Sequence, residues 1–139
     1  MGGDEMEMNR KDKTLSDEEL CRDPRAMRTA LEWANAPSAR QAHAGFRLVA
    51  SLAENLPEDT PGELGFFDHF LFLARKAATH EDPDVRRAVS SALAALASRS
   101  PNWREAVVET CEEIADQPSS VAEQLASQVL NDLKEREHD

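Results

Sequence analysis

Histidine and cysteine are the side chains that most often ligate metals or act as bases and nucleophiles near neutral pH. This chain of 139 residues holds four of the first and two of the second. His43, His69, His80 and His138 match no metal-binding spacing, and HExxH, which sets two imidazoles one helical turn apart, does not occur. Cys21 and Cys111 are too few and too distant in sequence for a four-ligand zinc site or a secreted disulfide framework. Cys111 falls on an apolar helical stripe, so a reduced core thiol is expected there. The phosphate-cradling patterns GxGxxG and GxxxxGK[ST] and the nucleophile elbow GxSxG are also missing. The expectation is a protein that is not an enzyme, with no catalytic residues, cofactor or metal.

What remains is chemistry for recognition. Twenty-seven acids stand against sixteen bases, a net charge of −11, which disfavours a general binder of nucleic acid or anionic membrane. The charge is uneven. Residues 23–53 carry four arginines against two acids, whereas residues 101–117 carry one arginine against five acids. Glu105, Glu109, Glu112 and Asp116 would share one helix face. Glu112, Glu113 and Asp116 also crowd its C-terminal end, where the helix dipole is already negative. That face can be a contact for a basic partner, one side of an internal ion pair, or solvated surface. The opposite candidates are Arg40, Arg47, Arg86 and Arg87.

The elements that must position these groups are helices. The chain is 40% hydrophobic, with twenty-one alanines, five phenylalanines and no tyrosine, a composition for closely packed helices. Residues 1–15 have almost no apolar content and read as a disordered tail, and Ser16 to Glu19 fits a capping box opening a short turn. Beyond it, Pro24, Pro61, Pro83, Pro101 and Pro118 each follow a polar residue and precede an amphipathic run. Proline suits the first helical position, because its missing N–H would have had no partner there. The expected helices are 24–35, 38–55, 61–79, 83–98, 101–116 and 118–134. Ala42, Phe46, Val49, Ala53 and Leu56 step by four and three, as do Val85, Val89, Leu93 and Leu96. Connections this short force consecutive helices to be antiparallel neighbours. Nothing alternates over strand length, so the chain is all-α. Residues 16–135 form one domain.

The helices also repeat. Pro37-Ser38-Ala39-Arg40-Gln41-Ala42 returns as Pro83-Asp84-Val85-Arg86-Arg87-Ala88, each opening the second helix of a pair, and Pro118-Ser119-Ser120-Val121 opens a third. The pairs are 24–55, 61–98 and 101–134, enough for a short α-solenoid to bury a continuous core. Asp82-Pro83-Asp84-Val85-Arg86-Arg87-Ala88-Val89, with Ala92, Leu93 and Leu96, resembles the turn and second helix of a HEAT or HEAT-like (armadillo-type) repeat. The resemblance is good over 61–98, fair over 24–55 and weak over 101–134. It implies a right-handed solenoid of about three antiparallel pairs, with Arg40, Arg86 and Asp82 or Asp84 forming hydrogen-bonded ladders between repeats. Ala122 replaces the arginine in the third pair, as suits a terminal cap.

Such repeats host scaffolds and adaptors as well as a few DNA-repair enzymes, so fold alone does not choose the function. In a solenoid the second helices line the concave face, which makes Arg40, Arg47, Arg86 and Arg87 candidates for partner binding. Phe72 joins them because it falls among Asp68, His69, Arg75 and Lys76, either tucked under 54–60 or exposed as a contact. The other phenylalanines of 61–79 read as core. The function expected is a small acidic scaffold or adaptor binding a protein or peptide. The alternatives are an immunity-type inhibitor that sets an acidic face against a basic target, and a nucleic-acid-associated HEAT-like protein. No stretch approaches the roughly 18 apolar residues of a membrane span, and the N-terminus lacks a signal core, so a cytoplasmic location is expected.

Overall fold

In a computed structural model, residues 25–57 and 60–137 are described. They form six helices and, among those residues, no strand: α1 (Ala26–Ala34), α2 (Ala39–Asn55), α3 (Glu63–Ala77), α4 (Pro83–Ala97), α5 (Pro101–Ala115) and α6 (Ser120–Glu137). The chain is all-α. The expected tail at 1–15, the capped turn at Ser16 and the proline at 24 lie outside the described residues.

Short polar side chains begin four of the helices. The hydroxyls of Ser38, Ser100 and Ser119 accept from the amides of Gln41, Trp103 and Ala122 at 3.3, 3.1 and 3.3 Å, and the Asp82 carboxylate accepts from the Asp84 amide at 2.8 Å. Each satisfies an N–H that the first turn leaves without a partner, worth about 1 kcal/mol against alanine. Pro83 and Pro101 take the first-turn positions expected of them. Pro61 and Pro118 do not. Thr60, Pro61 and Gly62 make a turn in which the Glu63 amide donates to the Thr60 carbonyl at 3.1 Å, and Gly62 adopts φ +84°. That left-handed conformation suits glycine and delays α3 by two residues. Pro118 stands one residue before the Ser119 cap, so α6 starts later than expected and runs to Glu137.

The packing is ordered along the chain. Partners within the pairs α1/α2, α3/α4 and α5/α6 touch; α1 meets α3, α3 meets α5, α2 meets α4, and α4 meets α6. Neither α1 nor α2 packs appreciably on α5 or α6. The second helices α2 and α4 approach closely along their length, while the first helices touch more sparsely. The residue types explain this difference. α4 buries five alanines, Val85, Val89, Leu93 and Leu96, so small side chains let its neighbours come near. The first helices face one another with rings instead. Phe67 meets Trp103 edge-on at 5.4 Å, and Phe70 reaches across to Phe46 of α2 at 6.1 Å. All of these phenylalanines are buried, as expected.

Two contacts lock the layers. Gly45 of α2 lies against the end of α1 so tightly that a Cβ there would sit 2.2 Å from the Ala34 amide nitrogen. Just past α4, Arg99 pairs with Glu63 and donates to the carbonyls of Ala53, Leu56 and Pro57 at 3.1, 2.8 and 2.9 Å. One guanidinium therefore caps the C-terminal end of α2 and holds the start of α3, with Phe67 beneath its plane at 5.5 Å.

Candidate functional site

The five candidate residues do not form one cluster. Arg47 of α2 and Arg87 of α4 are brought together: both line a groove of about 450 Å³ between these helices, with Glu54 and Asp84 opposite in charge. Arg87 and Glu54 also line the adjoining groove, about 540 Å³, which runs on to Gln128 and Asp132 of α6. The second-helix surface is thus crossed by a polar channel of balanced charge. It is not the basic ridge that the arginines alone would suggest. Arg87 is not free either, since it pairs with Asp84 at 3.2 Å. Both partners are exposed, so the pair holds weakly and a ligand can displace it.

Arg86 is committed elsewhere. Its Nη1 donates to the carbonyls of His80 and Glu81 at 2.5 and 3.2 Å, closing the turn of its own helix pair. His80 adds to that turn by accepting from the Asp82 amide at 3.0 Å through Nδ1. The expected ladder from Arg86 to a neighbouring repeat is replaced by this local bond, because the unpaired carbonyls after α3 lie nearer. Arg40 is exposed in the first turn of α2, outside the groove, and makes no hydrogen bond or ion pair among the described residues. No ladder joins the two arginines.

Phe72 belongs to the other layer. It is 50% exposed on α3, with Lys76 over its ring at 5.7 Å and His69 at 6.5 Å, and it is not tucked beneath a loop. Its cationic neighbour covers part of one face. The acidic face of α5 divides. Glu105, Glu109, Glu112 and Asp116 are exposed, whereas Glu113 pairs with Arg75 of α3. Arg75 also reaches the buried Thr110 hydroxyl at 3.5 Å, and the Gln117 amide donates to the Arg75 carbonyl at 2.9 Å. Glu113 is therefore one side of an internal ion pair.

Cys111 is fully buried as expected, and burial, reinforced by the charge of Glu112, pushes its thiol up to about 12. A thiol so reluctant to ionise is no nucleophile. Among the described residues no three histidine, cysteine or acidic side chains gather as a metal site, and no helix is long and apolar enough to cross a membrane.

Sequence reasoning passed over a depression of about 660 Å³ at the N-terminal ends of α3 and α5. Its floor is the Glu63–Arg99 pair and its walls include Leu64, Ser100 and Trp103. Leu64 is 72% exposed, the barest large apolar side chain among the described residues. Leu64 precedes the apolar stripes that begin at Phe66 and Phe67, so the periodicity of the helix does not single it out. Comparison with known proteins finds no family model, curated protein or solved structure that matches this chain.

Proposed function

We propose that the chain is a non-catalytic protein-interaction module, built as a short right-handed HEAT-like solenoid of three helix pairs, that takes an extended peptide along its second helices. The order of helix contacts supports the stack, because a closed bundle would bring α1 or α2 against α5 or α6. Rings between the first helices and alanines along α4 would bend such a stack toward its second helices, making that surface concave. The observation that carries the binding reading is the polar channel that Arg47 and Arg87 line together with Glu54 and Asp84. Its ligand is a peptide carrying both signs of charge. The net charge of −11 and the acids inside the channel speak against nucleic acid, so salt-dependent binding to duplex DNA is expected to be absent.

Peptides selected from a displayed library on the immobilised protein provide the test. Arg47→Glu with Arg87→Glu is expected to weaken them at least about tenfold, since reversal places like charges against the ligand's acids. Glu105→Lys with Glu109→Lys should change affinity less than about fivefold, because exposed charges contribute below about 1 kcal/mol. The opposite result favours a second reading, an inhibitor of basic targets, which the four exposed acids on one face of α5 support.

A further inference from the structure

Opposite charges border an apolar strip on the surface of the first helices. α3 is the middle member of that layer: it touches α1 and α5, which do not pack appreciably on each other. Along α3 the exposed large apolar side chains are Phe72 and, toward α5, Leu64. Gly65 leaves a hollow beside them, with nothing within 4 Å of where a Cβ would sit. α1 buries Ala26, Ala30 and Ala34, and turns Arg25, Arg28 and Glu32 outward. α5 buries Val107, Thr110, Cys111 and Ile114, and turns Glu105, Glu109, Glu112 and Asp116 outward. Arg28 makes no hydrogen bond or ion pair among the described residues. From α1 through α3 to α5 the layer therefore runs from basic to apolar to acidic.

A surface ordered in this way is complementary to itself in one orientation. A two-fold axis parallel to α3 lays α3 on α3 and exchanges the two sides, so α1 of each copy faces α5 of the other. An axis running across α3 would set the acids of α5 against the same acids. Each copy carries a net charge of −11, which opposes association, and only the first orientation supplies attraction to offset it. Asp68 and Lys76 stand four residues to either side of Phe72, turned from it by about 40° in opposite senses. The parallel axis therefore keeps each apart from its own copy.

We propose that the partner of the first-helix surface is a second copy of this chain, paired about Phe72 with the arginines of α1 over the acids of α5. The inference is independent of the second-helix channel, which stays open in the pair. Three short helices side by side would bury about 1,100 Å² in all, at the low end for specific association, so a dissociation constant on the order of 10–100 µM is expected.

Sedimentation equilibrium of the full chain between about 5 and 500 µM provides the test. The mass should rise toward twice that of one chain. Phe72→Asp is expected to weaken association at least about tenfold, with unchanged far-ultraviolet circular dichroism. Arg28→Glu alone, and Glu105→Lys with Glu109→Lys alone, should each weaken it about fivefold or more. All three charge reversals in one chain should return it to within about threefold of the parent, a rescue that a merely structural role would not give. A single mass at every concentration overturns the proposal, as does association that survives Phe72→Asp. Stronger association on Glu105→Lys with Glu109→Lys alone also overturns it, because it would place α5 against α5. So does failure of the combined reversals to recover affinity.

Discussion

The first helices and the second helices of this protein are held together by different means. Between α3 and α5 the contacts are long-armed: Phe67 on Trp103, Arg75 on Glu113 and Thr110, Gln117 on a backbone carbonyl. Around α4 the contacts are short: alanines, two valines and two leucines that let helix backbones come near. Six of the seven aromatic rings lie in the first layer, and only Phe46 lies in the second. A gap filled by rings is wider and tolerates polar links that span it. A gap filled by methyl groups excludes them. The layer with room for long side chains therefore carries the exposed Phe72 and Leu64, and the tight layer leaves its charges on its outer surface, where Arg47 and Arg87 meet.

The largest effect should come where the two layers are joined. Arg99 and Glu63 have only 6% and 12% of their side chains exposed, so Arg99→Ala strands a buried carboxylate and takes a donor from the carbonyls of Ala53 and Leu56, while Pro57 keeps the Thr60 hydroxyl. Urea unfolding should show a loss of about 3–5 kcal/mol. A loss below 1 kcal/mol would mean that water, not Arg99, satisfies those groups.

Within the tight layer, Leu93→Ala and Leu96→Ala should each cost about 2–5 kcal/mol, since neither side chain touches solvent. Phe72→Ala, in the looser layer, should cost well under that. If the leucines cost under half a kcal/mol, the close packing assigned to α4 is wrong.

Two glycines sharpen the contrast. Gly45→Ala drives a Cβ into the backbone of Trp33 and Ala34, and should destabilise by about 2 kcal/mol or more even after the better helix propensity of alanine is counted. Gly65→Ala meets nothing within 4 Å on α3 and should stabilise by about 1 kcal/mol. The same sign for both in thermal unfolding would erase the distinction between the layers.

A smaller effect is set by pH. The Cys111 thiol, held up to about 12 by burial and then by Glu112, keeps its proton in the folded protein. In the unfolded chain a thiol ionises near 8.5. Its contribution is therefore full below about pH 8.5 and declines as pH rises toward 12, by up to about 1.4 kcal/mol per unit. The unfolding midpoint should fall faster with pH above 9 in the parent than in Cys111→Ala. Parallel curves would show that α5 admits water to this thiol.

Much of the helical framework was legible because it is local. Ser38, Asp82 and Ser100 cap, and Pro83 and Pro101 open, within one turn of the residues they serve. Pro61 misled because Gly62 supplies a left-handed step that proline spacing alone does not reveal. Arg99 and Gly45 were invisible for another reason. Apart from Glu63, their partners are backbone atoms of other helices, and a carbonyl or an amide has no residue type to read. The grooving of Arg47 with Arg87 was foreseen from the repeat, but Glu54 and Asp84 beside them were not, since their register depends on how α2 and α4 meet. Arg86 was assigned to a neighbouring repeat and instead closes its own turn.

The position of α4 has a kinetic meaning. It packs against α2, α3, α5 and α6, whereas α1 is held by two helices and α6 by two. To expose an amide of α4 to exchange with deuterium, four interfaces must open, which amounts to opening the whole protein. The amides of α1 and α6 need only local release. Exchange should therefore be quickest in the outer helices and slowest in α4, whose small buried side chains would sit beneath the longest-retained hydrogens.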